Sequence, residues 1–111
     1  MVTNLNNLNC TPCSGKTPKL NHDEISINLT KLSNWGINDE KEMLFKKFTF
    51  KSFKAALNFT NYVGDLAEKE GHHPDISLGW GYCLIMIHTH AIKGLSINDF
   101  VLASKIDLID F

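Results

Sequence analysis

Four of the chain's five histidines, His72, His73, His88 and His90, fall within nineteen residues, in the run EKEGHHPDISLGWGYCLIMIHTH. Imidazole is the one side chain whose ordinary pKa allows both proton gain and proton loss near neutrality. An adjacent pair and a second pair two residues apart, brought together by folding, would make an acid–base site or a metal site. The leader adds two thiols, Cys10 and Cys13, in a CxxC motif. That motif reads as half of a metal site, a redox pair, or two free thiols. With no second CxxC and no βαβ context, free thiols are the simplest reading. Cys83 lies in an apolar strand pattern and reads as a small core hydrophobe.

The elements around these residues decide whether they meet. Residues 1–20 show little periodicity and are expected to form a flexible leader, with one domain over 21–111. Asn21 with Glu24 resembles a capping box, and Ile25, Leu29 and Leu32 follow at helical spacing, so a short helix should end near Ser33 or Asn34. Residues 35–37 and 43–51 read as a hairpin around the polar turn NDEKE. Ser52 is a good N-cap for a helix carrying Phe53, Ala56, Leu57, Phe59, Tyr62, Val63, Leu66 and Ala67. Such a broad apolar face predicts burial on two sides, the second against another subunit. Gly64 within it predicts a close helix contact. Gly71 and Pro74 end the helix, which puts His72 and His73 between a helix exit and a strand entry.

Residues 75–80 and 82–90 then read as strands, with Leu84, Met86, His88 and His90 on one face of the second. Ser96 and Asp99 give another capping signal, and Phe100, Ala103, Ile106 and Ile109 continue a terminal helix. The order is α-β-β-α-β-β-α. It predicts an α+β domain, a four-stranded antiparallel sheet with three helices on one face.

Bulk properties exclude several functions. At 111 residues and 43% apolar, the chain suits one small globular domain. Net charge is −1 and there is no arginine, the usual guanine reader and phosphate clamp, so no nucleic-acid partner is expected. The start lacks basic and apolar signal-peptide regions, and the apolar stretch 82–87 is too short to span a bilayer. No membrane partner is expected, and a soluble cytoplasmic protein is.

The residues carry a longer pattern. Glu68, three spacers, His72-His73-Pro74, five spacers, Trp80, nine spacers, His90, eight spacers and Asp99 resemble the signature of pterin-4a-carbinolamine dehydratases. The Phe48–Phe50 strand and the HHPDI and THxxxGLSxxD segments are similar to that family too, and the resemblance covers roughly residues 20–111. It implies an enzyme that removes water from 4a-hydroxytetrahydrobiopterin and yields the quinonoid dihydropterin. That reaction recycles tetrahydrobiopterin after an aromatic amino-acid hydroxylase has acted. It implies no metal and no organic cofactor, a pterin substrate, and a homodimer or homotetramer.

By the family's motif, His72 and His90 are the candidates for proton transfer, and His73 positions the pterin with some polarising role. Glu68 and Pro74 join His73 as candidate substrate-binding residues. His88 is outside the signature but shares a strand face with His90, so it is a candidate for the pocket. Asp99 is a substrate-binding candidate or the N3 residue of a cap, and Trp80 is expected in the core rather than stacked on the pterin. Two other readings stand beside the enzyme. One is a non-catalytic dimeric binding module of the same fold, since some animal members also act as dimerisation cofactors for a transcription factor. The other is a metal-binding protein using these histidines with Cys10 and Cys13.

Overall fold

Side-chain alternation decides which residues of the sheet face inward. In the computed structural model, which describes residues 5–38, 40 and 42–110, the strands are β1 (Gly36–Asn38), β2 (Met43–Thr49), β3 (Asp75–Gly79) and β4 (Tyr82–Ile87). They form one antiparallel sheet in the order β1-β2-β4-β3. Leu44 pairs with Ile87, and Phe48 with Cys83, so the inward residues of β2 and β4 lie side by side. Leu44, Phe48, Cys83, Ile85 and Ile87 are all buried there.

The helices α1 (His22–Leu29), α2 (Phe53–Glu70) and α3 (Ile97–Ile106) cover that face. The expected order of elements holds, with short 3-10 turns added at Leu5–Asn7 and His90–Ile92. α2 contributes Ala56, Phe59, Val63 and Ala67 to the core, and α3 contributes Phe100, Leu102, Ala103 and Ile106. Phe59 stacks at 4.6 Å on Phe48 and 5.2 Å on Phe50. Full burial of such side chains stabilises the fold by about 1.5–3 kcal/mol each. Among the described residues, no helix is long and apolar enough to cross a membrane.

Local chemistry explains the ends of the helices. Asn21 and Glu24 close a reciprocal capping box on α1. That helix stops at Leu29, earlier than expected, where the Thr30 hydroxyl donates to the Ile27 carbonyl at 2.6 Å and competes with the backbone ladder. Ser52 caps α2 by accepting from the Ala55 N–H at 3.0 Å. Gly71 ends α2 at φ 67°, a left-handed conformation natural to glycine.

Several expectations are corrected. The leader is tied to the domain at points: Leu5 is buried in the core, and the Cys10 N–H donates to Glu70 Oε1 at 3.1 Å. The apolar side chain at Leu5 anchors a segment whose polar composition gave no sign of docking. Within the chain α2 buries one side, and Phe53, Leu57 and Tyr62 on its other side are exposed, the face where a second subunit was expected. A methyl group built on Gly64 would meet nothing within 4 Å, so Gly64 marks no close contact within the chain. Trp80 is not core but 71% exposed, at the β3–β4 turn. The turn between β1 and β2 contains positions 39 and 41, which lie outside the described residues.

The second long strand also ends early, at Ile87 rather than His90. Thr89 bridges to Gly94, and Lys93 takes a left-handed φ of 50°, so the chain doubles back. The reason lies inside: Thr89 is buried and its hydroxyl is drawn to Asp99 at 2.8 Å.

Candidate functional site

The exit of α2, the end of β4 and the docked leader converge on a pocket of about 230 Å³ lined by Cys13, Gly71, His72, His73, His88, His90 and Ala91. All four clustered histidines therefore line one pocket. A cleft of about 290 Å³ between Lys19 and Leu95 is larger, but it is lined by one histidine, His22.

His72 is buried and its Nε2 lies 2.6 Å from Asp99 Oδ1. Asp99 is itself fully buried at the start of α3. Its Oδ2 accepts from the Ser96 N–H and the Thr89 hydroxyl, each at 2.8 Å. An ionised carboxylate is acceptor-only, so His72 donates to it through Nε2–H, and in the neutral ring Nδ1 then carries the lone pair. That nitrogen faces Cys13 Sγ at 3.5 Å. The carboxylate thus fixes both the ring orientation and the tautomer of His72.

Asp99, a candidate substrate contact or cap residue, is buried behind His72. With no exposed surface it reaches the pocket only through the His72 imidazole. Its capping bond to Ser96 and its bond to His72 use different oxygens, so one side chain does both jobs.

His73 points outward. Its Nε2 is 2.9 Å from Glu68 Oε1, one turn back on α2, and both side chains are largely exposed. Pro74 is half-buried between His73 and β3. On the other wall, His88 Nε2 lies 3.1 Å from His90 Nδ1, with ring centroids 4.0 Å apart. One ring donates and the other accepts across that contact. Asp75, His88 and His90 also bring one donor atom each to within 4.8 Å of one another, a set that could hold a divalent ion.

Sequence reasoning did not single out Asn98 or Thr89. Asn98 is buried, and its amide pairs with the Thr11 backbone in both directions, at 3.0 and 2.9 Å. It also donates to Cys13 Sγ at 3.2 Å. Nothing in the local pattern marks a residue inside a helical first turn as the dock for a segment 87 residues away. Thr89 had a faint signal, a hydroxyl on the inward face of an apolar strand, which needs a buried partner.

Two thiols behave alike. Burial and the neighbouring Glu70 carboxylate push the Cys10 thiol up to about 12, and burial also raises that of Cys83. Burial opposes ionisation of Glu70, but Lys105 at 2.9 Å and the Cys10 N–H overcome it and hold its carboxyl below the usual range.

The profile of the family described as pterin 4 alpha carbinolamine dehydratase matches residues 18–109. A relative bearing the family's name in Methylococcus capsulatus is 46% identical over 98 residues, 88% of this chain and 86% of the relative. Another in Alkaliphilus metalliredigens is 48% identical over 107 residues, 96% of each chain. Among solved structures, a transcriptional coactivator/pterin dehydratase from Brucella melitensis is similar with a TM-score of 0.77 and 28% identity, covering 81% of this chain and 96% of that one. A pterin dehydratase-like protein identified as a RuBisCO assembly factor in the alpha-carboxysome is similar with a TM-score of 0.57 and 29% identity, covering 68% and 87%.

Proposed function

The chain belongs to the pterin 4 alpha carbinolamine dehydratase family, and from that premise we propose that it removes water from 4a-hydroxytetrahydrobiopterin to give the quinonoid dihydropterin. The C4a–oxygen bond breaks, the leaving hydroxide takes up a proton as water, and the ring gives up a proton on another edge. One group must donate and another must accept.

The observation that carries this reading is a pair of oriented imidazoles in one pocket: His72 backed by Asp99, and His90 backed by His88. In the proposed division His72 and His90 exchange protons with the substrate. His73, held by Glu68, positions the pterin, and Pro74 fixes the turn that presents it. Positioned acid–base groups contribute about 10²–10⁴-fold each. In this reading the substrate comes from an aromatic amino-acid hydroxylase, and the enzyme works as a cytoplasmic homodimer or homotetramer with neither metal nor organic cofactor.

The test is stopped-flow decay of 4a-hydroxytetrahydrobiopterin generated in situ, with chelator-treated protein. Wild type is expected to accelerate the decay, and His90→Ala to lose most of the acceleration. Decay no faster than the spontaneous reaction overturns the proposal.

A second reading is a binding module. The sheet face opposite the helices presents Phe45, Leu84 and Met86 around a shallow hollow, and of two similar proteins one is named a transcriptional coactivator/pterin dehydratase and the other a RuBisCO assembly factor. It gains if folded wild type shows no acceleration.

A further inference from the structure

The proposed dehydration assigns no role to the CxxC motif, yet its second cysteine lies against the site. Cys13 is exposed and lines the histidine pocket. Its Sγ is 3.5 Å from His72 Nδ1, the nitrogen that carries the lone pair when the neutral ring donates Nε2–H to Asp99. Thiol, imidazole and buried carboxylate therefore stand in the order nucleophile, base, orienting group, the arrangement that activates cysteine nucleophiles. A fourth group completes it. The Asn98 amide, immobilised by its two bonds to Thr11, aims an N–H at the same sulfur from 3.2 Å, where it meets the charge that develops as the proton leaves. The other two cysteines lack this setting. Cys83 is sealed in the core, and Cys10 is half-buried beside the Glu70 carboxylate.

We propose that Cys13 is a reactive thiol that exchanges with low-molecular-weight disulfides, and that the resulting adduct caps the histidine pocket. In the step, His72 Nδ1 takes the proton from Cys13. The sulfur attacks one sulfur of the disulfide, a new S–S bond forms as the old one breaks, and the leaving thiolate takes the proton from His72. The sum is one protein thiol plus one disulfide giving one mixed disulfide plus one small thiol. The small disulfide is the only oxidant required, and excess thiol reverses the exchange. The adduct sits on the rim shared with His73, His88 and His90.

The experiment treats the full chain with 5,5′-dithiobis(2-nitrobenzoic acid) at pH 7, follows the released thiolate, and locates the adduct by peptide mass spectrometry. One equivalent is expected first, on Cys13, at least tenfold faster than on Cys10 or Cys83. The rate should also exceed by about tenfold that of the same cysteine in guanidinium-unfolded protein. His72→Gln and Asn98→Ala, each checked for folding by circular dichroism, should each slow it about tenfold. A folded Cys13 that reacts no faster than the unfolded one, or a rate that both variants leave unchanged, overturns the exchange role. Capping is read without any enzymatic assay: the adduct formed with oxidised glutathione should protect His90 from diethyl pyrocarbonate, and reduction should restore labelling. Equal labelling of His90 with and without the adduct overturns the capping.

Discussion

Two neighbouring histidines each face a carboxylate, and the two pairs have little else in common. His72 and Asp99 meet at 2.6 Å with side chains 6% and 0% exposed, whereas His73 and Glu68 meet at 2.9 Å with 58% and 79% exposed. The outer pair sits in solvent, where an ion pair contributes little and the rings are free to turn toward a ligand. The inner pair has left water, so every lone pair and proton in it must be matched. Asp99 matches three donors on two oxygens, and among the described residues no buried side-chain polar atom is left without a partner. The same two residue types thus make an adjustable contact at the rim and a fixed one beneath it. The proposed reaction would use both, because a flat heterocycle must enter freely and then meet a proton-exchanging ring that does not move.

The largest effect that would break this contrast is expected at the inner carboxylate. Asp99→Ala strands the Ser96 N–H and the Thr89 hydroxyl and removes the partner of His72. Each buried group left without its partner costs about 1–3 kcal/mol, and together they are read as the largest fall in the urea midpoint. Thr89→Val should follow at about 1–3 kcal/mol, because it leaves the buried Ser96 hydroxyl without its partner. If it costs nothing, Asp99 is held by less than its geometry indicates. Next comes a pH effect at the docked leader. The Cys10 thiol is raised in the fold from 9.0 to about 12, so the folded state keeps a proton that the unfolded state gives up. Stability from this source is full below pH 9 and declines as pH rises toward 12. Urea melts of wild type and Cys10→Ser between pH 8 and 10.5 should converge as the pH rises. Smallest of all, Glu68→Gln at the outer pair should shift stability by no more than about 0.5 kcal/mol, while raising the KM for the pterin more than it lowers kcat.

Much of this was legible beforehand, for reasons that differ by element. The two capping boxes, at Asn21 with Glu24 and at Ser96 with Asp99, are local patterns, and both formed. The alternation of Cys83, Ile85 and Ile87 against Leu84 and Met86 correctly divided inward from outward, because a strand has only two faces. The clustering of the histidines was legible from their matched spacing with Glu68 and Asp99. What escaped was tertiary. Leu5 docks and Asn98 receives the leader through contacts separated by most of the chain, and no periodicity encodes them. The strand ends at Ile87 because a buried network pulls Thr89 inward, which overrides the strand propensity of the residues after it. Trp80 was expected in the core rather than on the pterin, but its place at the β3–β4 turn leaves it 71% exposed.

The most direct test compares His72→Ala and Glu68→Gln in the stopped-flow dehydration assay, with chelator present and wild type alongside. Wild type should accelerate decay, His72→Ala should lose about 10²–10⁴-fold in turnover, and Glu68→Gln should keep turnover within a few-fold of wild type. Equal losses in the two variants, or full turnover in His72→Ala, would contradict the claim that the buried pair carries the proton transfer and the exposed pair only positions the substrate.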